Sequence, residues 1–188
     1  NSHASSTPTA DNERVYVYFS TLGLLAFDAK TGAEVWKHPL AKPAYLMDWG
    51  AASSPMLHGD SLDFCLDDDL TPYLLCLDRR TGKTRWKTAR PDMLAGYAVP
   101  VVCTADGQTD IVVAGSGKMK GYDPATGSER WTCNTLVRTI MTTPVVKDGI
   151  IYVAVQSYGD SSRTLKYALL EWMDTNQDGK LSKREVAP

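Results

Sequence analysis

The sequence is poor in the side chains that carry most metal and redox chemistry. It has three histidines and four cysteines in 188 residues. His3, His38 and His58 form no ligand pattern, and no two cysteines make a C-x-x-C pair, so zinc-ribbon and thioredoxin-like readings are poor. Four cysteines are too few to staple a chain of this length. Cys65, Cys76, Cys103 and Cys133 therefore read as small buried hydrophobes in strands. A second reading pairs two of them: Cys65 and Cys76 are symmetric about Asp68–Tyr73, and a hairpin there would set them face to face for a cross-strand disulfide in an oxidising compartment. No run approaches the roughly 20 apolar residues of a membrane-spanning helix. Basic charge is not in excess either: 20 Lys+Arg stand against 22 Asp+Glu, a net charge of −2, which argues against a nucleic-acid partner. Asn1–Thr9 shows neither an initiator Met nor a signal-peptide pattern, so a processed or partial chain is expected.

What remains is an ordinary globular composition, 43% apolar and 22% charged, for one domain with a small appendage. Within it one segment recurs three times. Leu25–Trp36 reads LAFDAKTGAEVW, Leu75–Trp86 reads LCLDRRTGKTRW, and Lys120–Trp131 reads KGYDPATGSERW. The shared frame is D-x-x-T-G-x-x-x-W, on Asp28/Thr31/Gly32/Trp36, Asp78/Thr81/Gly82/Trp86 and Asp123/Thr126/Gly127/Trp131. A second marker keeps step with it: Pro8, Pro55, Pro100 and Pro144 follow small or β-branched residues at intervals of 47, 45 and 44. Two markers with one period define a repeat.

Each unit reads as four short strands. After the proline comes a polar turn, at Asp11-Asn12, Gly59-Asp60, Asp106-Gly107 and Asp148-Gly149. Then follows a β-rich run: Val15–Tyr18, Leu62–Cys65, Ile111–Val113 and Ile150–Val153. A third strand ends in the frame's Asp, the T-G turn reverses the chain, and the Trp-bearing strand closes the unit. An antiparallel unit of about 45 residues cannot bury both faces alone, so neighbours must stack on it, as propeller blades do.

On these residues the chain resembles the quinoprotein-type, or PQQ-like, β-propeller repeat, over about residues 5–155. The resemblance implies an all-β partial propeller whose Trp36, Trp86 and Trp131 are buried docking residues between adjacent blades. It also implies rings of eight blades, sometimes seven. WD40 is set aside because no Gly-His…Trp-Asp pairing occurs. Residues 1–157 supply about three and a half blades, so the missing blades are expected from a longer chain. Uncovered end blades would make an isolated chain self-associate.

Beyond the repeat, Arg163–Met173 carries Leu165, Leu169, Trp172 and Met173 as a helical stripe. Asp174–Glu185, DTNQDGKLSKRE, then fits the EF-hand loop D-x-[DN]-x-[DN]-G-x₅-E, making residues 163–188 an EF-hand segment. Calcium would be held by the side chains of Asp174, Asn176 and Asp178, the carbonyl of Lys180, Ser182 through water, and a bidentate Glu185. Gly179 would allow the bend, and Leu181 is the apolar residue that pairs such loops. A dockerin-like loop would use the same ligands.

Other candidates are weaker. Gly115-Ser116-Gly117-Lys118 fails the phosphate-loop pattern and falls on an inter-strand turn. Asp67-Asp68-Asp69 reads as a solvated hairpin loop. Tyr45, Trp49 and Tyr97 lie in blade linkers and read as blade packing, with the rim of a central channel as the alternative. Dehydrogenases of the resembled family carry adjacent cysteines over the quinone, and no Cys-Cys dipeptide exists here. The expected function is a non-catalytic, calcium-binding scaffold, secreted or periplasmic and bacterial, presenting its loops to protein or polysaccharide. The alternative is a fragment of a PQQ-dependent quinoprotein alcohol dehydrogenase-like oxidoreductase.

Overall fold

The computed structural model describes residues 5–45, 50–94, 96–134, 142–154, 173–176 and 180–186. Three four-stranded antiparallel sheets follow one another in sequence order. Blade 1 holds β1 (Thr9–Ala10), β2 (Arg14–Phe19), β3 (Gly23–Asp28) and β4 (Glu34–His38). Blade 2 holds β5 (Met56–His58), β6 (Ser61–Leu66), β7 (Tyr73–Asp78) and β8 (Thr84–Ala89). Blade 3 holds β9 (Val101–Ala105), β10 (Gln108–Gly115), β11 (Lys118–Tyr122) and β12 (Glu129–Cys133). A two-stranded fourth sheet pairs β13 (Val145–Lys147) with β14 (Ile150–Tyr152), exposing Val145, Ile150 and Tyr152 on one side. The helix α1 spans Lys183–Val186. Among the described residues no helix is long and apolar enough to cross a membrane. The all-β partial propeller is thus present.

The repeated turn folds for local reasons. Asp28 Oδ1 accepts hydrogen bonds from Thr31 N at 2.7 Å and Thr31 Oγ1 at 2.8 Å, and Asp78 repeats both contacts with Thr81. The backbone then turns through Gly32, Gly82 and Gly127 at φ of 71°, 69° and 72°, a region costly for any residue with a Cβ. A register shift follows at the same place in every blade, between Ala26/Phe27, Cys76/Leu77 and Gly121/Tyr122. That bulge sets the Trp directly across from Ala26, Cys76 or Gly121.

The tryptophans of the first two blades lock onto the next blade's turn. Trp36 Nε1 donates to the Arg79 carbonyl at 3.0 Å, and Trp86 Nε1 donates to the Pro124 carbonyl at 3.0 Å. Their rings cover Gly82 and Gly127, and a Cβ on Gly82 would stand 2.7 Å from the Trp36 ring. Two residues after each Trp, His38 Nδ1 meets the Gly82 carbonyl at 2.9 Å and Thr88 Oγ1 donates to the Gly127 carbonyl at 2.7 Å. Trp131 departs from the expected burial. It is half-buried, lies over its own blade's Gly121, and donates to Asp110 Oδ2 at 2.8 Å. Among the described residues the fourth sheet offers it no third strand and no turn carbonyl.

The core is therefore a series of layers between blades. Tyr16, Tyr18, Leu24 and Trp36 of blade 1 pack on Leu62, Phe64, Leu75 and Leu77 of blade 2. Cys65, Leu74, Cys76 and Trp86 of blade 2 pack on Ile111, Val113 and Tyr122 of blade 3. Both faces of β6 and β7 are consequently buried.

The pairing of Cys65 with Cys76 is corrected by the register. Leu66 pairs with Tyr73 to close the hairpin, so Cys65 faces Leu74 and Cys76 faces Asp63. The two thiols lie on one face but diagonally, and none of the four cysteines is in a disulfide.

Candidate functional site

The β2–β3, β6–β7 and β10–β11 connections lie at one end of the blades, and the linkers 39–55 and 90–100 start and finish there. These connections and linkers make up the linker end of the blades. Its centre is an ion pair. Asp67, just after β6, accepts from Arg90 Nε and Arg90 Nη2 at 2.8 Å each. Both side chains are buried, Arg90 at 0% and Asp67 at 2% exposure. The third guanidinium nitrogen, Nη1, donates to the Tyr122 hydroxyl of blade 3. A bidentate, fully enclosed pair of this kind holds only because every charged atom is engaged.

The neighbouring residues tie the linkers down. Gly96 N donates to the Asp67 carbonyl at 2.9 Å, an approach so close that a Cβ on Gly96 would sit 2.9 Å from Asp67 Oδ2. Asp68 Oδ1 accepts from Thr71 N at 2.6 Å, and its Oδ2 accepts from Ala44 N at 3.1 Å, joining the first linker to the β6–β7 loop. The aspartate run is thus not a solvated loop: Asp67 and Asp68 are buried and structural. Their polarity is used inside, which a run of three acids does not reveal. Asp92 is similarly spent on Lys118 at 3.0 Å and Lys120 at 2.9 Å. Partial burial works against its charge, but the two ammonium groups prevail and hold Asp92 down at about 2. Burial pushes the Cys65 thiol well up, so it is no nucleophile.

Tyr45 and Tyr97 stack on each other, with centroids 5.3 Å apart and planes 18° apart, so the two linkers pack through their aromatic rings. Trp49 lies outside the described residues. At the same end Leu70 is 75% exposed, while Leu22 and Leu94 are 42% exposed. Beside Leu70 runs a groove of about 440 Å³ lined by Pro72, Tyr73, Lys87, Ala89 and Pro91, with Lys87 Nζ 3.7 Å above the Tyr73 ring centre. Ser116 and Gly117 make the positive-φ turn between β10 and β11, as the strand reading requires.

The acidic loop at the end of the chain is described in part. Asp174–Asn176 and Lys180–Glu185 are described, whereas Asp178, Gly179 and all of the expected helix except Met173 lie outside. Glu185 Oε1 accepts from Thr175 N at 3.1 Å and Thr175 Oγ1 at 3.2 Å, and Oε2 accepts from Ser182 N at 2.8 Å. The Glu185 carboxylate thereby caps the Ser182 backbone N–H at the start of α1. These bonds hold the Glu185 carboxyl down at about 2, an ionised group at the second end of the loop. Among the described residues no three His, Cys, Asp or Glu side chains gather around one point.

Comparison with known proteins adds the family. The family model described as outer membrane protein assembly factor BamB matches residues 1–66 and 73–177. The chain belongs to the BamB family. Its fold is similar to the solved BamB from Moraxella catarrhalis at a TM-score of 0.62 and 22% identity, covering 80% of this chain and 46% of that one. Over 62% of the chain it is 31% identical to quinoprotein ethanol dehydrogenase from Pseudomonas aeruginosa and 29% identical to 1-butanol dehydrogenase (quinone) from Thauera butanivorans. The chain spans 20% of the length of either of these curated relatives. The D-x-x-T-G-x-x-x-W frame recurs in each of the three four-stranded blades, whereas the Asp67–Arg90 pair joins the β6–β7 loop to the linker after β8.

Proposed function

We propose that the chain is part of an extracytoplasmic β-propeller scaffold that binds a protein through the linker end of its blades. The observation that carries this reading is the division of labour at that end. Asp67, Arg90, Asp92, Lys118 and Lys120 are spent on one another, while Leu70, Leu94 and the groove beside them face solvent. Apolar side chains on a polar rim suit a protein surface. A polysaccharide would need open aromatic faces, and Tyr45 and Tyr97 cover each other. The family's description as an outer membrane assembly factor supports both a protein partner and a location outside the cytoplasm.

The same proposal includes calcium at Asp174, Asn176, Asp178, the Lys180 carbonyl, Ser182 and Glu185. Its support is the fit of the loop to its motif and the ionised Glu185 folded back to the start of the loop. The second reading, an oxidoreductase of the quinoprotein alcohol dehydrogenase type using PQQ, is favoured by the 31% identity to quinoprotein ethanol dehydrogenase.

The partner reading is tested by photo-crosslinking in cells producing the full-length protein. A photoreactive residue at Leu70 gives a discrete protein adduct that is lost with Leu94→Asp, and the same probe at Asn12, at the opposite end of the blades, gives none. Absence of an adduct at Leu70, or equal adducts at both ends, overturns it.

A further inference from the structure

Asp63 in β6 is fully buried, at 0% exposure, and no donor meets hydrogen-bond geometry at either of its carboxyl oxygens. It stands in the row Met56–Asp63–Cys76–Trp86 that crosses blade 2. Met56, Cys76 and Trp86 of that row share one apolar cluster with Ile111, Val113 and Tyr122, so the row faces blade 3. The repeat shows what the position ordinarily holds. Its equivalents are Tyr16 in the row Thr9–Tyr16–Ala26–Trp36 and Val112 in the row Val101–Val112–Gly121–Trp131. Tyr16 anchors its hydroxyl on Asp11, and Val112 needs no partner. Blade 2 alone of the three puts a carboxyl there.

The charged and titratable groups around Asp63 do not neutralise it. From β7 comes the Cys76 thiol, and from β8 comes Arg85, whose guanidinium is committed to Asp78 at 2.8 Å and Ser61 at 3.1 Å. On its own strand Cys65 is turned to Asp67. Across the interface Ile111 and Val113 are apolar, the Lys120 ammonium on the same face is taken by Asp92 and Glu129, and the Tyr122 hydroxyl is taken by Arg90. Met56 on β5 carries no charge. A carboxylate in such a place lacks both water and a cation, and a neutral carboxylic acid is the form that fits.

We propose that Asp63 is a proton-operated latch between blades 2 and 3: neutral, it lets the blades close over it, and ionised, it loosens their contact. Burial raises its pKa to about 7, against the opposing pull of Cys76 and Arg85, so the latch changes state near neutral pH. The folded pKa lies above the unfolded value of about 3.9. The contribution to stability is therefore complete below pH 4, falls about tenfold in the folding constant per pH unit up to about 7, and is constant above that.

The test uses the full-length protein. Infrared spectroscopy should show a protonated-carboxyl band at pH 5 that disappears as pH rises through about 7. In urea denaturation, the folding constant of the unmodified protein relative to Asp63→Asn, or to Asp63→Val if the first fails to fold, should fall about 300-fold between pH 4 and 7. Hydrogen-exchange protection in β6 and β10 should fall between pH 4 and 7 and level off above that in the unmodified protein only. No such band at pH 5, parallel pH profiles for protein and variant, or unchanged protection overturns the proposal.

Discussion

Trp36 of blade 1 hangs on the Arg79 carbonyl of blade 2, 3.0 Å from its indole nitrogen and 43 residues further along the chain. Trp86 repeats the contact on Pro124, so each of the first two repeats carries its own attachment to the next blade. Trp36→Ala or Trp86→Ala should each cost about 3–5 kcal/mol in urea denaturation. Trp131→Ala should cost clearly less, because that indole is half-buried and bonded within its own blade. Gly82→Ala should also destabilise, since φ is 69° and the Trp36 ring occupies the space a methyl needs.

The Asp67–Arg90 pair makes a sharper energetic prediction. Arg90→Leu leaves a buried carboxylate without its cation and should cost about 3–5 kcal/mol. The double change Asp67→Leu with Arg90→Met removes both charges and should cost less than Arg90→Leu alone. Equal losses would mean that the pair is not the buried unit described here.

Thiol chemistry follows from register. Purified under oxidising conditions and unfolded, the protein should present four free thiols, with no Cys65–Cys76 disulfide peptide by mass spectrometry. In the folded state Cys133 should react first, because the other three are buried.

The parts of the fold that could be read in advance are those with local causes. The Asp28–Thr31 and Asp78–Thr81 contacts span three residues, so the turn, its glycine and the following Trp are written contiguously. The hairpin between β6 and β7 was harder. Its loop begins one residue earlier than symmetry of the cysteines implies, because Asp67 is drawn into the interior by Arg90, 23 residues away. A pair so distant leaves no local pattern, and three consecutive aspartates carry the opposite signal. Asp63 was hidden for the same reason: only alignment of the rows of three folded blades shows that it occupies an apolar position. The proposed calcium loop is legible as a motif alone, with Asp178 outside the described residues.

That loop can be titrated. Calorimetry on the full-length protein should show calcium binding with a Kd of about 10⁻⁴–10⁻³ M, the range of unpaired extracellular sites. Glu185→Gln removes charge from the bidentate ligand and should weaken binding far more than Lys180→Ala, which leaves the ligating carbonyl in place. No calcium heat at millimolar concentration, or equal effects from the two substitutions, would defeat the assignment.

The central claim, a binding scaffold rather than a quinone enzyme, meets its most direct test in a turnover assay. The full-length protein, incubated with PQQ and calcium, is supplied with ethanol or 1-butanol and an artificial electron acceptor, with a quinoprotein alcohol dehydrogenase run alongside. The scaffold account predicts no alcohol-dependent reduction of the acceptor above the protein-free rate. Saturable, PQQ-dependent reduction would contradict it and establish the oxidoreductase.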